Sequence, residues 1–93
     1  MDTEILTSVQ PARTALEFPK YRILLHNDDV NDGLHVVRAL MLVFKYDAGK
    51  SEEIMLKAHH EGVALCAIES LEIAEHRCML LKACALVATM ELQ

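Results

Sequence analysis

Apolar positions in this chain change period several times, and each change marks an element. Lys20-Tyr21-Arg22-Ile23-Leu24-Leu25-His26 is rich in β-branched and aromatic residues, the signature of a strand. Asn27-Asp28-Asp29 then breaks the pattern, because such side chains favour turns and caps. Asn31 or Asp32 is placed to cap a helix that starts near Gly33, with Leu34, Val37, Leu40, Met41 and Phe44 as its apolar stripe. Residues 45–50 read as a connection, and Ser51 as the cap of a second helix. Glu52 and Glu53 would sit in its first turn, Ile54, Met55 and Ala58 on its buried side, and Gly62 at its C-terminal stop.

Residues 63–69 read as a short buried strand. Ser70 is placed to cap a third helix with Leu71, Ala74, Cys78 and Leu81 inward. From 86 to 92, Leu86, Ala88, Met90 and Leu92 alternate with Val87, Thr89 and Glu91, as in a final strand. The order β-α-α-β-α-β predicts an α+β fold, a small three-stranded sheet with three helices packed on one face. Residues 1–19, punctuated by Pro11 and Pro19, read as a flexible N-terminal tail ahead of a domain over 20–93.

Composition narrows the function. A chain of 93 residues suits one domain with a modest core, in which a shallow surface pocket is easier to build than a deep cavity. A formal net charge of −5 argues against generic nucleic-acid binding, which needs clustered Lys and Arg. No apolar run approaches the ~20 residues that span a bilayer, and the N-terminus lacks a secretory pattern. Cys66, Cys78 and Cys84 are odd in number and lack paired or zinc-type spacing, so buried thiols in a reducing compartment are expected rather than disulfides or a metal site. No Gly-rich phosphate loop and no activated nucleophile stand out, and an enzyme is not expected.

Three segments resemble one family in order and at matching spacing. Tyr21-Arg22-Ile23-Leu24-Leu25-His26-Asn27-Asp28-Asp29 resembles the opening of the ClpS family, the N-end-rule adaptors of AAA+ Clp proteases. Ile54-Met55-Leu56-Lys57-Ala58-His59-His60-Glu61-Gly62 is similar to the family's Met-x-x-x-His-x-x-Gly helix end. Glu72-Ile73-Ala74-Glu75-His76-Arg77 is similar to its Glu-x-Ala-Glu-x-Lys/Arg segment. The resemblance covers about residues 20–92.

It implies an adaptor that holds the free α-amino group and large side chain of an N-terminal Leu, Phe, Tyr or Trp and passes the protein to a Clp-type unfoldase. By matching positions, Asn27, Asp28 and His59 would hold the amino group, while Asn31, Val36, Met55, Ala58 and Leu86 would line the side-chain pocket. Gly33 stands at the pocket mouth where many relatives carry Met, and Ala58 where Val is frequent, so a wider or reshaped slot is expected. Glu72 and Arg77 would contact the N-terminal domain of a ClpA- or ClpC-type unfoldase, and the tail would help hand over substrate. A monomer without cofactors is the default expectation, in the cytoplasm or the stroma of an organelle of bacterial descent. The alternative is an interaction domain of the same fold without N-degron recognition.

The chemistry of the residues suits that role. An α-amino group, with an ordinary pKa of about 7.7–8.0, is largely cationic at neutral pH and calls for acceptors. Asp28 offers a carboxylate, Asn27 an amide oxygen, and His59 a ring nitrogen when that nitrogen carries no proton. Met55 and Ala58 share a helical face three residues apart, and His59 follows, which sets an apolar wall beside a polar acceptor.

Overall fold

The computed structural model describes residues 18–93. The expected tail therefore lies almost wholly outside the described residues. The elements are β1 (Lys20–His26), α1 (Gly33–Phe44), α2 (Ala48–Glu61), β2 (Val63–Ser70), α3 (Leu71–Ala83) and β3 (Val87–Leu92). This is the expected β-α-α-β-α-β order. The three strands form one antiparallel sheet in the order β2-β1-β3, with β1 in the centre.

β1 pairs along both of its edges and alternates in burial. Ile23 and Leu25 are buried while Arg22 and His26 face away. Its pairing with β2 shifts register between Ile23 and Leu24: Ile23 lies opposite Ala67 and Leu24 opposite Leu65, so Cys66 is the extra residue of a bulge. The bulge lets Cys66 join Ala64 and Ala67 against the core. Burial pushes the Cys66 thiol up to about 12, with the neighbouring Cys78 adding to the shift.

β2 is not buried on both faces as expected. Ala64 and Cys66 point inward, but Val63, Leu65 and Ile68 remain exposed on the sheet's open side. Helices cover only one face of the sheet, so alternate residues stay in contact with water.

The inward face of α1 also differs from the expected stripe. Val36, Ala39, Leu40, Val43 and Phe44 are buried, whereas Leu34 and Met41 are exposed. Leu40 and Phe44 are buried as expected, but the centre of the buried face is rotated toward Val36, Ala39 and Val43. α1 packs against both α2 and α3 beside the sheet, and that position turns Val36 and Val43 inward. Asp32 is its cap: Oδ1 accepts from the His35 N–H at 2.9 Å.

α2 begins four residues before its expected start, its cap moving from Ser51 to Asp47. Asp47, not Ser51, caps it, accepting from the Lys50 N–H at 2.8 Å. Glu52 and Glu53 therefore lie beyond the first turn, and the α1–α2 connection shortens to residues 45–47. Ser51 instead faces the core, fully buried, and its Oγ has no hydrogen-bond partner among the described residues. Gly62 closes α2 as expected, with φ 92 and its N–H bonded to the Ala58 carbonyl. Ser70 occupies the cap position of α3 but makes no side-chain cap bond.

An unpartnered buried hydroxyl costs about 1–3 kcal/mol. Ser51→Ala is therefore expected to leave stability unchanged or raise it by about 1 kcal/mol in urea unfolding. A clear loss would show that the hydroxyl is satisfied in the folded protein.

Candidate functional site

The site forms where β1 ends. Asn27 to Asp32 turn the chain from the sheet into α1, and the C-terminal half of α2 lies alongside. A cavity of about 460 Å³ opens between them. The turn is built on one carboxylate. Asp28 Oδ1 accepts from the backbone N–H groups of Val30 (2.9 Å) and Asn31 (2.8 Å), and the Asn31 side-chain amide lies 3.3 Å from Oδ1 and 3.2 Å from Oδ2. These donors, the Asn31 backbone N–H foremost, hold the Asp28 carboxyl below its ordinary value of 3.8 against the opposing effect of burial. It is an anion at neutral pH. A carboxylate has about four acceptor sites in all, and Oδ2 meets only the Asn31 side-chain amide, so a ligand cation can still be received.

Two further bonds fix the surroundings. The Asn27 N–H donates to the Gly62 carbonyl at 2.9 Å, tying the turn to the end of α2. This brings Asn27 to the helix end that carries His59, one turn before Gly62. On the other side, Asn31 Nδ2 donates to the Ala85 carbonyl at 2.8 Å and His35 Nε2 to the Cys84 carbonyl at 2.7 Å. Both bonds clamp the start of α1 to the α3–β3 connection.

The cavity gathers most of the expected residues. Asn27, Asp28 and His59 line it, as do Asn31, Gly33, Val36, Met55 and Ala58. Leu86 does not: it is buried in the core, just ahead of β3, and is not among the lining residues. Leu25, His26, Asp29 and Asp32 line the cavity in addition. Leu25 was legible as an inward strand position, and the two aspartates flank residues already singled out. With Asp28 they make the rim strongly acidic, which suits a cationic ligand.

Gly33 does not leave a simple void. A Cβ placed there would meet Met55 Cε at 3.1 Å and Sδ at 3.3 Å. The flexible thioether of Met55 therefore occupies the space beside Gly33, and the slot is reshaped more than widened.

Glu72 and Arg77 lie on α3, outside the cavity lining. Glu72 is exposed in the first turn. Arg77 is held within the domain: Nη1 pairs with Glu69 Oε2 at 2.9 Å, and the guanidinium lies 5.5 Å from the Phe44 ring centroid. Phe44 in turn stacks on Tyr46, whose hydroxyl donates to the Cys66 carbonyl at 2.7 Å.

The fold and cavity define a small α+β module with an acidic, partly apolar surface pocket. Residues 17–93 match the family described as ATP-dependent Clp protease adaptor protein ClpS, and the chain belongs to that family. It is similar to the ClpS adapter proteins of Vibrio atlanticus (41% identical, over 72% of this chain and 64% of that protein) and Myxococcus xanthus (31%, 90% and 78%). The match thus spans a little under two thirds of the Vibrio protein's length. The fold resembles that of Agrobacterium tumefaciens ClpS2 bound to L-phenylalaninamide, with a TM-score of 0.76 at 25% identity, covering 81% of this chain and 98% of that one.

Because the folded value for Asp28 is depressed, its stabilising effect is complete above about pH 4 and is lost as pH falls through the lower folded value. NMR titration of the Asp28 carboxyl is expected to give a midpoint below 3.8. Asn31→Ala, which removes the side-chain donor and keeps the backbone one, is expected to move that midpoint part of the way back.

Proposed function

We propose that this chain is an adaptor that binds the free α-amino group and bulky apolar side chain of N-terminal residues and delivers the proteins bearing them to a Clp-type AAA+ unfoldase for degradation. The observation that carries the reading is the meeting, in one cavity, of the acceptors Asn27, Asp28 and His59 with the apolar walls of Val36, Met55 and Ala58. A plain interaction surface has no need of converging acceptors beside an apolar slot. The amino-acid amide bound by the Agrobacterium relative has the same two parts, a free amine and a large side chain.

In this reading the α-ammonium group donates to the Asp28 carboxylate, to the Asn27 amide oxygen and to an unprotonated ring nitrogen of His59. Charge-assisted hydrogen bonds contribute roughly 1.5–3 kcal/mol each, and burying a Leu or Phe side chain adds about 1.5–3 kcal/mol. After ordering costs, a free energy near −8 kcal/mol, about micromolar affinity, is reasonable. The preferred class is Leu, Phe, Tyr or Trp. The mouth beside Gly33 is walled by a movable Met55 side chain, so exclusion of Ile and Val is relaxed. The unfoldase docks on a face that includes the exposed Glu72. Arg77 contributes there mainly by holding Glu69 and Phe44.

Fluorescence anisotropy with labelled peptides tests this directly. Leu- and Phe-first peptides are expected to bind at micromolar concentrations, and Gly-first or N-acetylated peptides at least ~30-fold more weakly, the loss of one charge-assisted contact set or the buried side chain. Asp28→Ala should shrink the difference between free and acetylated amines. Gly33→Met should weaken Ile- and Val-first peptides more than Leu. If Leu, Gly and acetylated peptides bind alike, or none binds, the amine-site reading is wrong.

A further inference from the structure

A second groove, of about 390 Å³, runs along the seam of α1 and α2 and shares Gly33 and Met55 with the cavity. The wall between the two spaces is one side chain thick: the Met55 thioether lying against Gly33. The groove's other walls are Leu34 and Val37 on α1 and the start of α2 at Ala48 and Gly49. Leu34 is 60% exposed. Glu52 is the single charged residue among those lining the groove.

This arrangement selects the chemistry of an occupant. A purely apolar group would leave the exposed Glu52 carboxylate at the groove without a partner. A long aliphatic stem ending in a cation satisfies both parts. The stem lies on Leu34, Val37 and Met55, and the head reaches Glu52, as Lys and Arg side chains do along apolar surfaces. In an extended peptide, side chains two residues apart point to the same face, roughly 6.6–6.8 Å from one another. That spacing suits two neighbouring spaces divided by one side chain.

We propose that the α1–α2 groove is a second subsite, which takes the side chain of a Lys or Arg at the third position of a bound N-terminal segment. It rests on the reading of the cavity as an amine site that holds the first residue. Glu52 thereby adds a preference beyond the N-terminal residue, and Met55 forms the ridge over which the peptide passes.

The test is anisotropy with the intact chain and labelled peptides beginning Phe-Ala-Ala, Phe-Ala-Lys, Phe-Ala-Leu and Phe-Lys-Ala. Phe-Ala-Lys is expected to bind about 3- to 10-fold more tightly than Phe-Ala-Ala, the scale of one partly exposed ion pair with some stem burial. Phe-Lys-Ala should gain less, because its cation points away from the groove. In Glu52→Gln the Phe-Ala-Lys and Phe-Ala-Ala peptides should bind alike. The subsite is refuted if Lys at the third position gives no gain, if Leu there gains more than Lys, or if the gain persists undiminished in Glu52→Gln, with Phe-Ala-Ala binding normally in each case. Failure of Phe-Ala-Ala itself to bind would instead remove the amine site, and the subsite with it.

Discussion

One carboxylate, that of Asp28, organises the corner on which the site depends. By accepting the N–H groups of Val30 and Asn31 it bends the chain sharply between β1 and α1. The Asn31 side chain, drawn to the same carboxylate, is then in position to bond the Ala85 carbonyl. Asp32 follows immediately as the cap of α1. A single acidic side chain thus sets where the helix begins and ties that start to the far end of the fold. The same donors keep the carboxyl ionised, so the group that shapes the turn also brings negative charge to the cavity.

The opposite wall is set by backbone closure at Gly62. Its left-handed conformation ends α2, while its carbonyl accepts from Asn27. Two loops that are distant in sequence therefore meet at a fixed separation, and Asn27 and His59 share one cavity. Between these polar rims the apolar wall is pliant. Gly33 contributes no side chain, and Met55, with three rotatable bonds, fills in beside it. A hydrogen-bonded carboxylate beside a deformable slot suits the proposed reading, in which one constant group, an amine, is held together with side chains of differing shape.

Much of this was legible in the sequence because strong local signals agreed with the tertiary outcome. The β1 alternation, the Asn27–Asp32 break and Gly62 each state their role in residue type, and the spacing from Met55 to His59 places a wall and an acceptor on one helix. Eight of the nine residues expected to form the amine site and slot line the cavity. Leu86 fell outside it because an apolar residue before a strand reads the same whether it faces a slot or the core. Ser51 was mistaken for a cap since Asp47, with Gly49 close behind, is an equally good one, and only packing reveals that Ser51 faces inward. The α1 stripe was only partly legible, at Leu40 and Phe44, for a related reason. Apolar residues occur all round that helix, so periodicity alone could not choose between Leu34–Met41 and Val36–Val43. Ala85 gave no signal at all: its left-handed φ of 67 is a conformation usually announced by Gly or Asn.

The central claim is that Asn27, Asp28 and His59 receive a free amine while the adjoining walls receive its side chain. NMR titration of the chain with L-phenylalaninamide, against its N-acetylated counterpart, measures this most directly. The account predicts saturable shifts at Asn27, Asp28, Asn31, Met55 and His59 with the free amine, and none with the acetylated compound. Equal shifts with both compounds, or saturable shifts confined to residues outside this cavity, would contradict it.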